Sequence, residues 1–196
     1  KHKKIYIPKI KEPNYFCFDK HFSSYFVIKK KNKYIKLYER GFRQNLICGD
    51  LSTEYFDSTV APEEIYKHNK NAKIIIILRE HYDFICSYIK ELRKSYNIEI
   101  DIDNIFSRKI EDSKLLETFN QSSEVYHFSL SDKLNYSKHI ENFNKYFKKS
   151  ILIINYNDLS DNYEKIIIKI LKFLDLDHTD STLKKNYLNQ STQNYN

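Results

Sequence analysis

The chain of 196 residues carries 33 Lys/Arg against 26 Asp/Glu, a formal charge of +7, with 41% hydrophobic and 15% aromatic residues. That apolar share suffices for one core and excludes a disordered tail. The longest aliphatic run, Ile74 to Leu78, is too short to cross a bilayer, and no apolar signal segment follows Lys1-His2-Lys3-Lys4, so the expectation is a cytoplasmic protein.

Charge is unevenly placed: residues 1–50 hold 13 Lys/Arg and 4 Asp/Glu, a net +9, whereas residues 51–196 hold 20 and 22, a net −2. The dense part, Lys29-Lys30-Lys31 with Lys33 and Lys36, reads as a solvated face or as a surface that steers an anion. Cys17, Cys48 and Cys86 are odd in number and far apart, which excludes a closed disulfide framework and the paired spacing of a zinc site and agrees with a reducing compartment. Gly41 and Gly49 are the only glycines, so these residues contain no glycine-rich phosphate loop of the Walker or dinucleotide kind. A phosphate site here has to use side chains and helix ends.

Leu46-Ile47-Cys48, then Lys73 to Leu78, then Ile151 to Ile154 are short aliphatic runs bounded by polar residues, as expected of strands buried on both faces and adjacent in a parallel sheet. Between them, Ile85, Tyr88, Ile89 and Leu92 recur at helical spacing, as do Tyr136, Ile140, Phe143 and Phe147, which predicts crossover helices. Asp161 with Glu164 resembles a capping pair ahead of a last helix whose apolar side is Tyr163, Ile166, Ile167, Ile170, Leu171 and Leu174. Residues 98–130, polar and acidic around Asp101-Ile102-Asp103, are expected to form short helices in an insertion over the sheet. No repeat or linker divides the chain, so the prediction is a single α/β domain over residues 1–196.

In sheets of this kind ligands bind beyond the carboxyl ends of the strands, beside the following helix N-termini. Those positions are Asp50-Leu51-Ser52-Thr53, Arg79-Glu80 and Asn155-Tyr156-Asn157-Asp158. Arg79 offers a planar fork for two phosphate oxygens, and the Ser87 hydroxyl, eight residues on, is placed to donate to the same group. The plainer alternative pairs Arg79 with Glu80 or Asp83 and bonds Ser87 back to its own helix.

The stretch Ser52-Thr53-Glu54-Tyr55-Phe56-Asp57-Ser58-Thr59-Val60-Ala61-Pro62, with the strand and Arg79 through Ser87 after it, resembles the donor-binding region of the sulfotransferases. The likeness is to the heparan sulfate N- and 3-O-sulfotransferase branch and its bacterial relatives. It implies a P-loop-NTPase-like fold, a three-layer parallel sheet flanked by helices, with Arg79 and Ser87 holding the 3′-phosphate of 3′-phosphoadenosine 5′-phosphosulfate. Lys11-Glu12-Pro13-Asn14-Tyr15-Phe16 resembles the family's Lys-Glu-x-x-Phe-Phe segment and implies Glu12 as the catalytic base that takes the acceptor proton. Asn189 to Tyr195 resembles the adenine-flanking stretch and implies that Tyr195 stacks on the base, although Gln193 and Asn194 depart from the pattern.

Two family elements, a Lys-x-Gly-Thr-Thr loop around the 5′-phosphosulfate and a basic loop beyond the adenine contacts, have no counterpart in these residues. The resemblance therefore implies a domain shortened at its N-terminus and at its C-terminus, with the catalytic Lys supplied upstream of Lys1. Leu51 stands where the glycan branch has a Lys near the transferred group. The implied activity is sulfuryl transfer to a hydroxyl or amine, a saccharide among the acceptors, with no metal, no nucleic acid and no membrane segment as partner. The competing class is a non-catalytic basic module that binds nucleic acid or acidic glycan through residues 1–50, against which the net −2 of the remainder speaks. A nucleotide kinase ranks lower, for want of a glycine loop and a magnesium-binding pair.

Overall fold

Short β-branched runs alternate with amphipathic periods along the chain, and the computed structural model, which describes residues 2–20, 28–96 and 130–177, turns them into strands and helices in that order. A two-residue strand, β1 (Ile5–Tyr6), leads into an irregular segment through Lys20. Then come α1 (Lys31–Arg43), β2 (Ile47–Cys48), a 3-10 turn at Thr53–Tyr55, α2 (Ala61–His68), β3 (Ile74–Leu78) and α3 (His81–Tyr96). The last third is α4 (Leu130–Lys133), α5 (Tyr136–Phe147), β4 (Ile151–Asn155), α6 (Tyr156–Asp161) and α7 (Tyr163–Phe173). Apart from Leu130, the insertion expected over residues 98–130 lies outside the described residues.

All strand pairing among the described residues is parallel, as an α/β fold with crossover helices requires. β3 lies beside β4 in register from Ile74↔Ile151 to Leu78↔Asn155. The three predicted strands are not one continuous ladder, however. β2 pairs with β1, Ile5↔Ile47 and Tyr6↔Cys48, a partner too short to show any period in the sequence. Nor are β3 and β4 buried on both faces: Ile77 is 49% and Ile153 41% exposed.

The helical stripes pack as their spacing predicts. Ile85 and Ile89 of α3 and Phe143 and Phe147 of α5 are buried. A largely aromatic core joins Phe16 and Cys17 of the irregular segment, Tyr34 and Tyr38 of α1, Tyr55, Ala61 of α2, and the two α5 phenylalanines. One expectation fails near the end. The Asn155 side chain accepts a bond from the Asn157 N–H at 2.8 Å and starts α6 directly after β4, so Asp161 closes that helix instead of capping the next. Asn162 occupies the N-cap of α7 with no side-chain cap bond. No helix among the described residues is long and apolar enough to cross a membrane.

Gly41 explains how α1 seats on the β1–β2 pair. A Cβ there would lie 2.5 Å from Cys48 Sγ and 2.8 Å from Tyr6 Cδ1, both closer than van der Waals contact allows. Gly41→Ala is therefore expected to destabilise the fold by about 1–3 kcal/mol in urea unfolding despite Ala's better helix propensity, because the overpacking outweighs it.

Candidate functional site

The residues after β2 organise the neighbourhood of the strand ends. Asp50 Oδ1 accepts from the Ser52 amide at 3.1 Å and the Ser52 hydroxyl at 2.7 Å, while Oδ2 accepts from the hydroxyls of Tyr34 at 3.0 Å and Tyr55 at 2.9 Å. Two of these donors also act as acceptors for a distant segment: the Asn14 amide donates to Ser52 Oγ at 3.1 Å and the Tyr15 amide to Tyr55 Oη at 3.0 Å. Tyr15 stacks on Tyr34 with centroids 4.4 Å apart. Burial, with Asp50 alongside, pushes the Tyr34 and Tyr55 phenols well up, so they stay neutral donors.

These contacts lay the segment that carries Glu12 along the Thr53–Tyr55 turn. Glu12 itself has φ 51 and Asn14 φ 50. Asn tolerates the left-handed region, whereas Glu pays about 1 kcal/mol for it, and strain of this kind gathers at functional sites. Desolvation and the neighbouring Glu54 push the Glu12 carboxyl up, against the opposing effects of the Thr53 hydroxyl and Lys11. Cys17, fully buried and donating to the Asn14 carbonyl at 3.5 Å, has its thiol pushed up to about 12 by burial and then by Glu54, Asp19 and Asp57.

Below Glu54 lies a buried ion cluster. Asp57, 6% exposed, meets Lys133 at 2.8 Å and Lys20 at 3.0 Å, and Lys133 also reaches Glu54 at 3.3 Å. Burial alone would raise the Asp57 carboxyl, but Lys133 and Lys20 outweigh it and hold it below its usual value. Lys133 lies over the Tyr88 ring of α3 at 5.7 Å, and Phe56 packs on Tyr136 at 5.8 Å, so the β2 end and the start of α3 and α5 are tied together. Asp19 completes the frame, accepting from Ser58 Oγ at 2.6 Å and from the Thr59 amide and hydroxyl at 2.8 and 2.9 Å.

Arg79 follows β3, one position beyond the pair Leu78↔Asn155, and its guanidinium lies 4.8 Å over the ring of Tyr156, the first residue after β4. Its backbone carbonyl accepts from Tyr136 Oη at 3.0 Å, and its Nε is buried with no hydrogen-bond partner among the described residues. The alternative pairing of Arg79 with Glu80 or Asp83 does not occur among the described residues. Ser87 is exposed, two turns into α3. No hydrogen bond or ion pair among the described residues joins Glu12, Arg79 and Ser87 directly. They are linked through Glu54, Lys133 and Tyr88 on one side and Tyr136 on the other. Leu51 is 53% exposed, and Tyr195 lies outside the described residues. Asp50 stands among the post-strand positions that the sequence marks, whereas nothing in the sequence singles out the charges of Glu54, Asp57 and Lys133 as one cluster. Only the match of Asp57 to a Tyr-Phe-Asp triplet hinted at one of them.

Parallel strands joined by crossover helices, with Arg79 at the carboxyl end of one strand, define an α/β protein. A sulfotransferase domain model matches residues 55–196, and the chain belongs to that family of transferases. Among solved structures, that of a sulfotransferase from Alicyclobacillus acidocaldarius is similar in fold, with a TM-score of 0.70 and 17% identity, over 95% of this chain and 77% of that one. The sulfotransferase domain from the curacin biosynthetic pathway shares 18% identity over 74% of this chain and 44% of its own, with a TM-score of 0.48. No curated protein matches. Arg79 and Ser87 fall inside the family-matched stretch and Glu12 before it.

The buried cluster predicts an acid dependence. Because the folded Asp57 carboxyl lies below its unfolded value, its contribution is complete above about pH 4 and is lost as pH falls through the folded value. Asp57→Asn, which leaves two lysines facing a neutral amide, should cost about 2–4 kcal/mol in urea unfolding at pH 7, with the gap to the unaltered protein narrowing at pH 3.

Proposed function

We propose that the protein transfers a sulfuryl group from 3′-phosphoadenosine 5′-phosphosulfate to a hydroxyl or amine acceptor, with a saccharide as the acceptor class. The observation that supports this most is Arg79. A buried guanidinium Nε–H without an acceptor costs about 1–3 kcal/mol, a cost relieved when a phosphate oxygen supplies the missing partner. Tyr156 holds the guanidinium plane at 4.8 Å while leaving its edge to a ligand. In this proposal Arg79 and Ser87 grip the 3′-phosphate, and Tyr195 stacks on the adenine as the family resemblance implies.

Glu12 then serves as base. The acceptor oxygen or nitrogen attacks sulfur in line, the bond from sulfur to the bridging phosphate oxygen breaks, adenosine 3′,5′-bisphosphate departs, and Glu12 takes the acceptor proton. The upward push on its carboxyl and its strained backbone fit such a role. An acidic saccharide is favoured by α1, where Lys33, Lys36, Arg40 and Arg43 recur every three or four residues on one exposed face, with only Arg43 ion-paired among the described residues, to Glu39. The same stripe favours the competing reading, a non-catalytic basic module. Polyanion binding that falls steeply with salt, unaltered by Arg79→Ala and unaccompanied by transfer, would carry it.

Calorimetry on the full-length protein tests the donor site: Arg79→Ala should weaken binding of adenosine 3′,5′-bisphosphate by roughly 10- to 100-fold, and unchanged affinity would overturn the assignment. Glu12→Gln should leave that affinity intact while lowering the rate of sulfuryl transfer by about 10²–10⁴. Undiminished transfer would remove Glu12 from the reaction.

A further inference from the structure

The donor site depends on a joint of two residues, Arg79 and Glu80, between the last residue of β3 and the first of α3. The ladder ends at Leu78↔Asn155, and the Glu80 carbonyl already belongs to α3, accepting from the Phe84 amide at 2.8 Å. The Arg79 carbonyl lies between these two frameworks and is met from a third: Tyr136 Oη, on the first residue of α5, donates to it at 3.0 Å. The phenol is itself held, its ring 4.7 Å from that of His81 at the start of α3 and 5.8 Å from that of Phe56. The helix that carries it is capped by Asn135 Oδ1, which accepts from the Lys138 amide at 3.2 Å. Shortly before it in the chain, Lys133 lies 5.7 Å over the ring of Tyr88, the neighbour of Ser87. The stretch from Lys133 to Tyr136 therefore reaches both ends of the Arg79–Ser87 pair.

We propose that Tyr136 is a positioning residue for Arg79: its hydroxyl fixes the Arg79 peptide, and with it the direction in which the guanidinium leaves the strand end toward the 3′-phosphate of the donor. The inference rests on the reading of Arg79 as a phosphate ligand. Bonds from a guanidinium fork to phosphate oxygens are directional, so a rotated peptide at Arg79 weakens them without altering the charge of the site. Tyr156 restrains the same side chain at its far end, 4.8 Å from the guanidinium, whereas the Tyr136 bond restrains it at the root. A buried Nε that finds no acceptor among the described residues needs such support, because the side chain gains by turning to reach water. A phenol suits the task better than an aliphatic hydroxyl, since the ring contacts with His81 and Phe56 leave its oxygen little freedom.

Calorimetry on the full-length protein with two nucleotides separates this role from a merely structural one. Adenosine 3′,5′-bisphosphate carries the phosphate assigned to Arg79, and adenosine 5′-monophosphate lacks it. Tyr136→Phe keeps the ring contacts and removes one oxygen. It should weaken bisphosphate binding by roughly 3- to 10-fold, the size of one neutral hydrogen bond, and leave monophosphate binding unchanged. Placed on Arg79→Ala, the same substitution should have no further effect, because the group it positions is gone. Bisphosphate affinity unchanged in Tyr136→Phe, an equal loss for both nucleotides, or an undiminished effect in the Arg79→Ala background would each overturn the proposal. If Arg79→Ala by itself leaves the preference for the bisphosphate intact, the phosphate reading of Arg79 is what fails, and the positioning role falls with it.

Discussion

A single carboxylate, Asp50, determines how this part of the molecule is put together. It sits two residues beyond a strand two residues long and takes four hydrogen bonds, three from Ser52 and Tyr55 in the next turn of chain and one from Tyr34 of α1. The donors are not spent there: Ser52 and Tyr55 pass the connection on to the amides of Asn14 and Tyr15. A segment with no regular secondary structure, which would otherwise have unpaired backbone groups against an aromatic core, is held as firmly as a strand. The left-handed backbone at Glu12 persists because these anchors over-determine it.

Much of the fold could be read from periodicity. The α5 stripe from Tyr136 to Phe147 and the strands at 74–78 and 151–155 sit where their spacing places them, because each is long enough for its pattern to outvote chance. β1 could not be read, since two residues carry no period, and with it the true partner of β2 was lost. The position of Arg79 was legible from the aliphatic run before it: a residue directly after such a run stands at the carboxyl end of a parallel strand, and it does so here. The cluster of Lys20, Glu54, Asp57 and Lys133 was not, because Lys133 meets Asp57 across 76 positions and no local spacing announces such a pair.

The site divides its electrostatics between two depths. The lower layer is balanced and buried, with Asp57 held ionised by two lysines, and serves to fix the turn against α4. The upper layer is left incomplete: the buried Arg79 Nε has no acceptor among the described residues. The first layer fixes the turn and the second keeps a buried donor unsatisfied, a division common where a fold must hold such groups in place.

The sealed thiol of Cys17 follows from the same construction. It lies one residue beyond the aromatic pair of the Glu12 segment, bonded back to Asn14 and unfavourable to ionise. An alkylating reagent can reach it only when that segment lifts from the turn beneath, so the pace of its modification becomes a clock for the breathing of the reactive edge, carried within the native chain and needing no added label.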